Sequence, residues 1–338
     1  MALKDTVTSS LLLTGLLLLT ALQLPVVQSI GVCYGLIGDN LPQRQYVVDL
    51  YKFNNLGAMR LYGPDQQALQ ALRGSNIELI LDVPKDKLES IASNAGTASQ
   101  WVQDNIRNYY PDVRFKYIAV GNEVEPEEPA ARFVLPAMQN IQNALASAGL
   151  QPQIKVSTAV KSSLVTGFPP ANGRFTSSFI NPIISFLASN GSPLLANIYP
   201  YFSYIYNPRD IPLPYALFTS PGTVVTDSIS GLNYQNLFDA LVDTMHAALA
   251  KVGGSNVPIV VSESGWPSAG SSVATPENAA TYHRNLIRHV QGGTPRKPQP
   301  LETFIFAMFD ENLKKGDEVE RHFGIFNSNG SPKYNGVP

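Results

Sequence analysis

Short apolar runs recur along the whole chain, each closed by glycine, proline or polar residues. They are Ile30–Tyr34, Ala58–Tyr62, Ile77–Val83, Phe115–Val120, Ile154–Val160, Leu194–Tyr199, Pro258–Ser262 and Thr303–Phe309. The runs are near-continuous rather than alternating, the pattern of strands covered on both faces. Segments with helical spacing lie between them. Thr275-Pro276-Glu277 supplies an N-cap and a first-position proline, and Tyr282, Leu286 and Val290 make a stripe that ends at Gly292. Asn233 opens a segment whose Leu237, Leu241, Ala248 and Val252 share one face, ending at Gly253-Gly254. Phe133, Met138, Ile141 and Leu145 do likewise before Gly149, and Trp101, Asn105, Ile106 and Tyr109 follow Thr97.

Strand and helix thus alternate about eight times, which implies parallel strands joined by right-handed crossovers. Eight such units over residues 30–338 predict an α/β fold, a (β/α)8 TIM barrel in a single domain. The competing architecture is the open doubly wound sheet. That sheet usually carries a glycine-rich phosphate loop after its first strand, and Gly31, Gly35 and Gly38 are not followed by a helix start in the required form. The longest stretch without a strand, roughly 200–257, is rich in Pro and Tyr ahead of its helix. In a barrel it would form an extended loop at the functional face.

The N-terminus breaks the pattern. Lys4 precedes the apolar run Leu11–Leu22, too short to span a hydrocarbon core that needs about 20 residues. It fits the apolar region of a secretory signal peptide. The Pro25 break and Ser29, with Val27 two positions before it, place cleavage between residues 27 and 30. Residues 1–29 are therefore read as a leader, and no membrane anchor is expected in the mature chain, which ends in polar turn residues.

Composition narrows the chemistry. Among 338 residues, charged side chains make up 15% and the formal net charge is −2. No excess of Lys and Arg exists to neutralise phosphates, which excludes nucleic acid and an anionic membrane as expected partners. Hydrophobic residues at 44% argue against disorder, and 25 Gly with 26 Pro signal many turns. The one cysteine, Cys33, excludes an internal disulfide and a Cys-based metal site, and within its apolar run it reads as an inert core residue. Four histidines (His246, His283, His289, His322) point away from a His-rich metal centre. No metal or cofactor is expected. Asn190 and Asn329 each open an Asn-Gly-Ser sequon, followed in both cases by a proline that disfavours glycosylation.

Barrel active sites lie where strands run out at their C-terminal ends. Two predicted strands end in a glutamate within a polar turn: Val120-Gly121-Asn122-Glu123 and Val261-Ser262-Glu263-Ser264-Gly265-Trp266. A carboxyl group directly after four apolar residues is partly desolvated, which suits it to proton transfer. Two such groups converging across a barrel mouth are the machinery of glycoside hydrolysis. A strand-end Glu can also simply cap a helix or pair with an arginine. Asn122 offers an amide to a sugar hydroxyl, and Trp266 an indole to stack on a pyranose face. After the last strand, Glu311 and Lys314 are spaced to face each other across one turn, with Glu320 nearby; a surface ion pair is the plainer alternative. Tyr199, Tyr201, Phe202, Tyr204 and Tyr206 follow strand six and Tyr34 ends strand one, an aromatic supply that fits a cleft for sugar rings. No G-x-S-x-G elbow, H-E-x-x-H zinc site or phosphate loop is present.

Seven segments carry a family resemblance. Val261-Ser262-Glu263-Ser264-Gly265-Trp266-Pro267-Ser268 resembles the signature of glycoside hydrolase family 17, the plant β-1,3-glucanases. So do Ile30–Gly35, Arg60-Leu61-Tyr62, Val120–Glu123, Lys155–Ala159, Asn197–Phe202 and Phe306–Asn312, in order from about residue 30 to the C-terminus. The resemblance implies a (β/α)8 barrel that retains anomeric configuration, with Glu123 as general acid/base and Glu263 as nucleophile. It makes Glu311, Lys314 and Glu320 the supporting charged cluster, with Tyr34, Asn122 and Tyr199 lining the cleavage subsite. It also implies a neutral β-1,3-glucan substrate, a monomer, and a secreted enzyme of the extracellular space or vacuole, in defence against fungal walls or in development. The absence of a C-terminal propeptide leans towards the extracellular space. Leu313, where many relatives carry a polar residue, and the acidic loop with Glu125, Glu127 and Glu128 depart from the pattern. A β-1,3-1,4-glucanase on the same scaffold and a glucan-binding protein without catalysis remain open.

Overall fold

Each of the eight apolar runs becomes a strand, and the strands close on one another. The computed structural model describes residues 30–334; the leader expected over 1–29 lies outside the described residues. We number the barrel strands β1 Gly31–Tyr34, β2 Ala58–Leu61, β3 Glu78–Val83, β4 Arg114–Asn122, β5 Lys155–Lys161, β6 Leu194–Asn197, β7 Ile259–Ser264 and β8 Thr303–Ile305. Every neighbouring pair is parallel, and β1 pairs with both β2 (Val32 opposite Met59) and β8 (Val32 opposite Ile305). This closure excludes the open sheet. All residues of β1, β2, β6 and β7 are buried, which explains their continuous apolar character.

The helices between strands form the outer layer, and their ends follow local chemistry. Thr275 Oγ1 accepts from the Asn278 N–H at 3.2 Å, with Pro276 at the first position of Pro276–His289. Asn181–Asn190 ends at Gly191, whose φ of 58° is the left-handed cap that glycine takes without strain. The helix Leu237–Lys251 begins later than the Asn233 start expected. Asn236 caps it through the Asp239 N–H at 2.8 Å, because Asn233–Tyr234 is already paired with Val225–Thr226 in a two-residue ribbon. That ribbon, and the helix Pro200–Tyr206, replace the extended strand-free loop expected after β6.

Strand β8 is shorter than the Thr303–Phe309 run. After Ile305 the backbone turns its hydrogen bonds elsewhere: the Ala307 N–H to the Phe323 carbonyl (3.1 Å) and the Met308 N–H to the Cys33 carbonyl (2.8 Å). Cys33 is fully buried with its thiol donating to the Ser262 carbonyl at 3.3 Å, and burial pushes the thiol far up. It is a core residue, as its sequence context implied.

One buried group sets a pH dependence of stability. His283 lies on the inner face of Pro276–His289, fully buried, with neither ring nitrogen hydrogen-bonded. Burial, with the Lys333 ammonium nearby, lowers it from an ordinary value near 6.5 to about 3. The folded state binds this proton less tightly than the unfolded chain, so stability present above about pH 6.5 is lost as pH falls towards 3. Between pH 7 and pH 5 the loss from this residue is about 2 kcal/mol. Urea midpoints of His283→Leu and the parent, compared at both pH values, should show the variant gaining that amount relative to the parent at the lower pH. A constant difference would contradict the assignment.

Candidate active site

Both glutamates sit at irregularities in their strands. In β4 the pairing with β5 slips between Ala119 and Asn122, and in β7 the pairing with β6 slips between Val261 and Glu263. Such bulges re-aim side chains at barrel rims. Gly121, inside the β4 bulge, and Glu123, just past it, take φ of 77° and 50°, and the Glu123 N–H is held by the Ala159 carbonyl at 2.9 Å. A non-glycine residue at positive φ is a local cost of the kind that accumulates at functional sites.

The two carboxyl groups line one cleft of ≈ 930 Å³ at the C-terminal mouth of the barrel. A second cavity of ≈ 470 Å³ opens at the opposite end and contains neither. Within the cleft the two glutamates have different partners. On Glu263, Tyr62 Oη donates to Oε1 at 2.8 Å, Arg60 Nη1 to Oε1 at 2.9 Å, and Tyr199 Oη to Oε2 at 2.7 Å. With donors on both oxygens, Glu263 acts purely as an acceptor, the hydrogen-bonding state of a carboxylate. Glu123 accepts one bond, from Asn197 Nδ2 at 2.9 Å. Burial, and then the negative charge of Glu263, push its carboxyl above the ordinary range, against the pull of Asn197, Lys161 and Arg60.

Asn122, expected at the site, lines the cleft; its Oδ1 accepts from Arg60 Nη2 (3.0 Å) and Asn197 Nδ2 (3.1 Å). The network therefore fixes its amide so that the NH2 group is what it offers to a sugar hydroxyl. Tyr199 binds Glu263 as above. Tyr34 forms part of the wall, its hydroxyl accepting from Arg44 Nη1 at 3.1 Å. Glu311, Lys314 and Glu320 also line the cleft; Lys314 faces Glu311 across one turn, as expected, and pairs more closely with Glu320. Lys314 Nζ lies 2.9 Å from Glu320 and 4.0 Å from Glu311, and 4.6 Å above the Phe306 ring. Burial pushes the Glu311 carboxyl up, with Lys314 opposing; Oε1 accepts from the Ile37 N–H at 3.1 Å. Gly35 leaves room for it: a Cβ there would come within 2.2 Å of Glu311 Oε1 and force that carboxyl to shift.

Trp266 is a correction. It is 0% exposed and does not line the cleft. The chain turns at Gly265, and the indole packs behind the barrel wall against Tyr201 (5.1 Å) and Tyr282 (5.7 Å), its N–H given to the Val273 carbonyl at 2.9 Å. The rings that do face the cleft, besides Tyr34, are Tyr62, Tyr199, Phe202, Tyr206, Phe306 and Phe323, with Tyr206 80% exposed. Tyr199 meets Phe202, Phe306 and Phe323 edge to face at 5.4, 6.3 and 5.7 Å.

Arg60, Tyr62, Asp82 and Asn197 were not singled out as site residues by sequence reasoning. A signal existed: Arg60 interrupts an otherwise apolar run, Asp82 directly follows Leu79-Ile80-Leu81 in the adjacent strand, and a charge buried in a strand requires a partner. Their ion pair, Arg60 Nη2 to Asp82 Oδ2, measures 2.7 Å.

A closed parallel barrel with two carboxyl groups in unlike settings across one aromatic cleft defines a glycoside hydrolase site. The chain belongs to glycosyl hydrolases family 17, whose family pattern matches residues 30–336. Among individual proteins, a Vitis vinifera protein named glucan endo-1,3-beta-glucosidase is 58% identical over 330 residues, covering 96% of this chain and 95% of that one. A Nicotiana plumbaginifolia glucan endo-1,3-beta-glucosidase, basic vacuolar isoform, is 51% identical, covering 97% and 91%. A solved plant β-glucan endohydrolase, one of two described as having distinct substrate specificities, superposes with a TM-score of 0.88 at 46% identity, covering 91% of this chain and 100% of its own.

Proposed function

We propose that the protein is an endo-acting hydrolase of β-1,3-glucosidic linkages that retains anomeric configuration. The observation that carries this reading is the unlike environment of the two carboxyl groups: Glu263 with donors on both oxygens, Glu123 buried and raised. Glu123, protonated, gives its proton to the glycosidic oxygen as the bond to the anomeric carbon breaks. Glu263 attacks that carbon from the opposite face and forms a glycosyl ester. Glu123, now a carboxylate, takes a proton from water, whose oxygen displaces Glu263 and restores the starting configuration. Arg60, Tyr62 and Tyr199 hold the nucleophile in its attacking position.

The names of the relatives support the β-1,3 linkage, and the aromatic, low-charge cleft suits a neutral glucan. The apolar run Leu11–Leu22 supports entry into the secretory route, with the extracellular space or the vacuole as destination; the vacuolar relative supports the second. Defence against fungal walls is the role the family suggests.

Sugar release from laminarin and from lichenan tests the linkage. The expected result is at least about tenfold faster release from laminarin, a factor worth about 1.4 kcal/mol in the barrier. Preference for lichenan would assign a β-1,3-1,4 specificity, and binding of glucan oligosaccharides without release of sugar would assign a binding protein.

A further inference from the structure

We infer that Asp82 is a positioning residue for both reacting carboxyl groups, acting through Arg60; the inference rests on the roles proposed above for Glu123 and Glu263. Asp82 lies in β3, 1% exposed, and neither it nor Arg60 lines the cleft. Its two oxygens grip one edge of the Arg60 guanidinium, Oδ1 to Nε at 3.2 Å and Oδ2 to Nη2 at 2.7 Å. Two parallel bonds fix a planar group in position and in tilt, as a single bond cannot.

What the clamped fork then does is specific. Apart from a bond from Nη1 to the Ser262 carbonyl in β7 (3.3 Å), its remaining N–H groups point at the catalytic machinery. Nη1 donates to Glu263 Oε1 (2.9 Å) and to Asn197 Oδ1 (3.3 Å), and Nη2 donates to Asn122 Oδ1 (3.0 Å). Asn197 in turn binds Glu123 at 2.9 Å, and Ser262 Oγ donates to Asn197 Oδ1 at 2.8 Å, which locks that amide. Both carboxyl groups are therefore referenced to one guanidinium, and the guanidinium to Asp82.

The pair also divides a charge. Arg60 is fully buried and sits between two carboxylates, Asp82 and Glu263. Freed from Asp82, the cation would move towards Glu263, its one remaining anionic neighbour, and draw that side chain off Tyr62 and Tyr199. A tighter ion pair at the nucleophile also lowers its tendency to attack. Burial pushes the Asp82 carboxyl up to about 6, with Arg60 opposing, so the clamp is strongest where Asp82 is ionised. A purely structural salt bridge between β2 and β3 would need only the Asp82 edge of the fork. Displacements of about 1 Å at a reacting group can cost on the order of 100-fold.

The test is Asp82→Asn in the full chain, assayed on linear β-1,3-glucan beside the parent. Asn keeps the shape but presents an NH2 to one of the two guanidinium donors, so one bond of the grip is lost. The expected result is a fall in kcat of about 10- to 100-fold with KM changed less than about threefold, in protein whose thermal midpoint shows it folded. A double-mutant cycle with Arg60→Met separates positioning from bulk stability. Without the guanidinium, Asp82→Asn should cause no further fall in kcat. Should Asp82→Asn alone not fold, Asp82→Glu, which keeps the charge but displaces the grip, takes its place in the same assay and the same cycle, with the same outcomes deciding. A kcat for Asp82→Asn within twofold of the parent, or losses that multiply in the double variant, would overturn the inference. If the parent cleaves glucan and the variant matches it, only the role of Asp82 falls. If the parent is inert, the proposed function falls and this role with it.

Discussion

Glu263→Ala is expected to lower kcat on β-1,3-glucan by about 10⁴-fold or more, the scale seen when a nucleophile is removed from a cooperative site. The fold should survive the change. Arg60 keeps its two bonds to Asp82, so no buried cation is left unpaired, and the hydroxyls of Tyr62 and Tyr199 border the cleft, where water can replace the lost carboxylate. The truncated side chain leaves room for a small anion on the face from which Glu263 attacks. With azide and a glucoside bearing a good leaving group, turnover should return and the product should be the α-glucosyl azide, inverted because only one displacement remains. Activity above about a tenth of the parent, or a β-azide product, would remove Glu263 from the nucleophile's role.

Glu123→Ala should behave differently, because its loss acts on proton transfer. On glucan, where the leaving oxygen must be protonated, kcat should fall by about 10²- to 10⁴-fold, the range for general acid–base catalysis. With a dinitrophenyl glucoside, which needs no acid, the first displacement should persist and the glycosyl–enzyme should accumulate as a burst. Azide should then release a β-glucosyl azide, the retained product. The pH profile provides a second readout. Burial and the Glu263 charge raise the Glu123 carboxyl, so the folded enzyme keeps this proton to higher pH than a free glutamate does. Activity on glucan therefore falls as pH rises through that ionisation, and this alkaline limb should be absent from Glu123→Ala. A limb that persists unchanged would assign it to another group, and equal loss on glucan and on the activated glucoside would contradict the acid role.

The barrel was legible because its strands are buried on both faces and so stand out as unbroken apolar runs; Val32, Met59, Leu81 and Val261 have no solvent side to show. Strand-end placement exposed Glu123 and Glu263 for the same reason, as the first charges after a buried run. The two-residue ribbons at Val165–Thr166 with Arg174–Phe175 and at Val225–Thr226 with Asn233–Tyr234 are too short to carry a period. Trp266 follows Glu263 by only three residues, yet the turn at Gly265 sends it to the far side of the barrel wall; nearness in sequence does not say which side of a strand's end a ring will occupy. The three-residue spacing of Glu311 and Lys314 does bring them together across one turn, but it could not rank Glu320, farther along the chain, as the closer partner. The polar skeleton beneath the cleft was visible only in part. Arg60, Asp82 and Asn197 each stand out as polar residues in apolar strands, but that β2, β3, β4, β6 and β7 bring them to one point depends on closure of the barrel.

In the proposed mechanism Glu263 attacks the anomeric carbon and Glu123 manages the proton across one cleft. Proton NMR of the hydrolysis of linear β-1,3-glucan, read before mutarotation, tests it most directly. Two successive displacements predict that the first reducing ends released are β anomers, which then drift to the equilibrium mixture. Initial release of α anomers would mean that water, not Glu263, attacks the sugar, and would exclude Glu263 as the nucleophile.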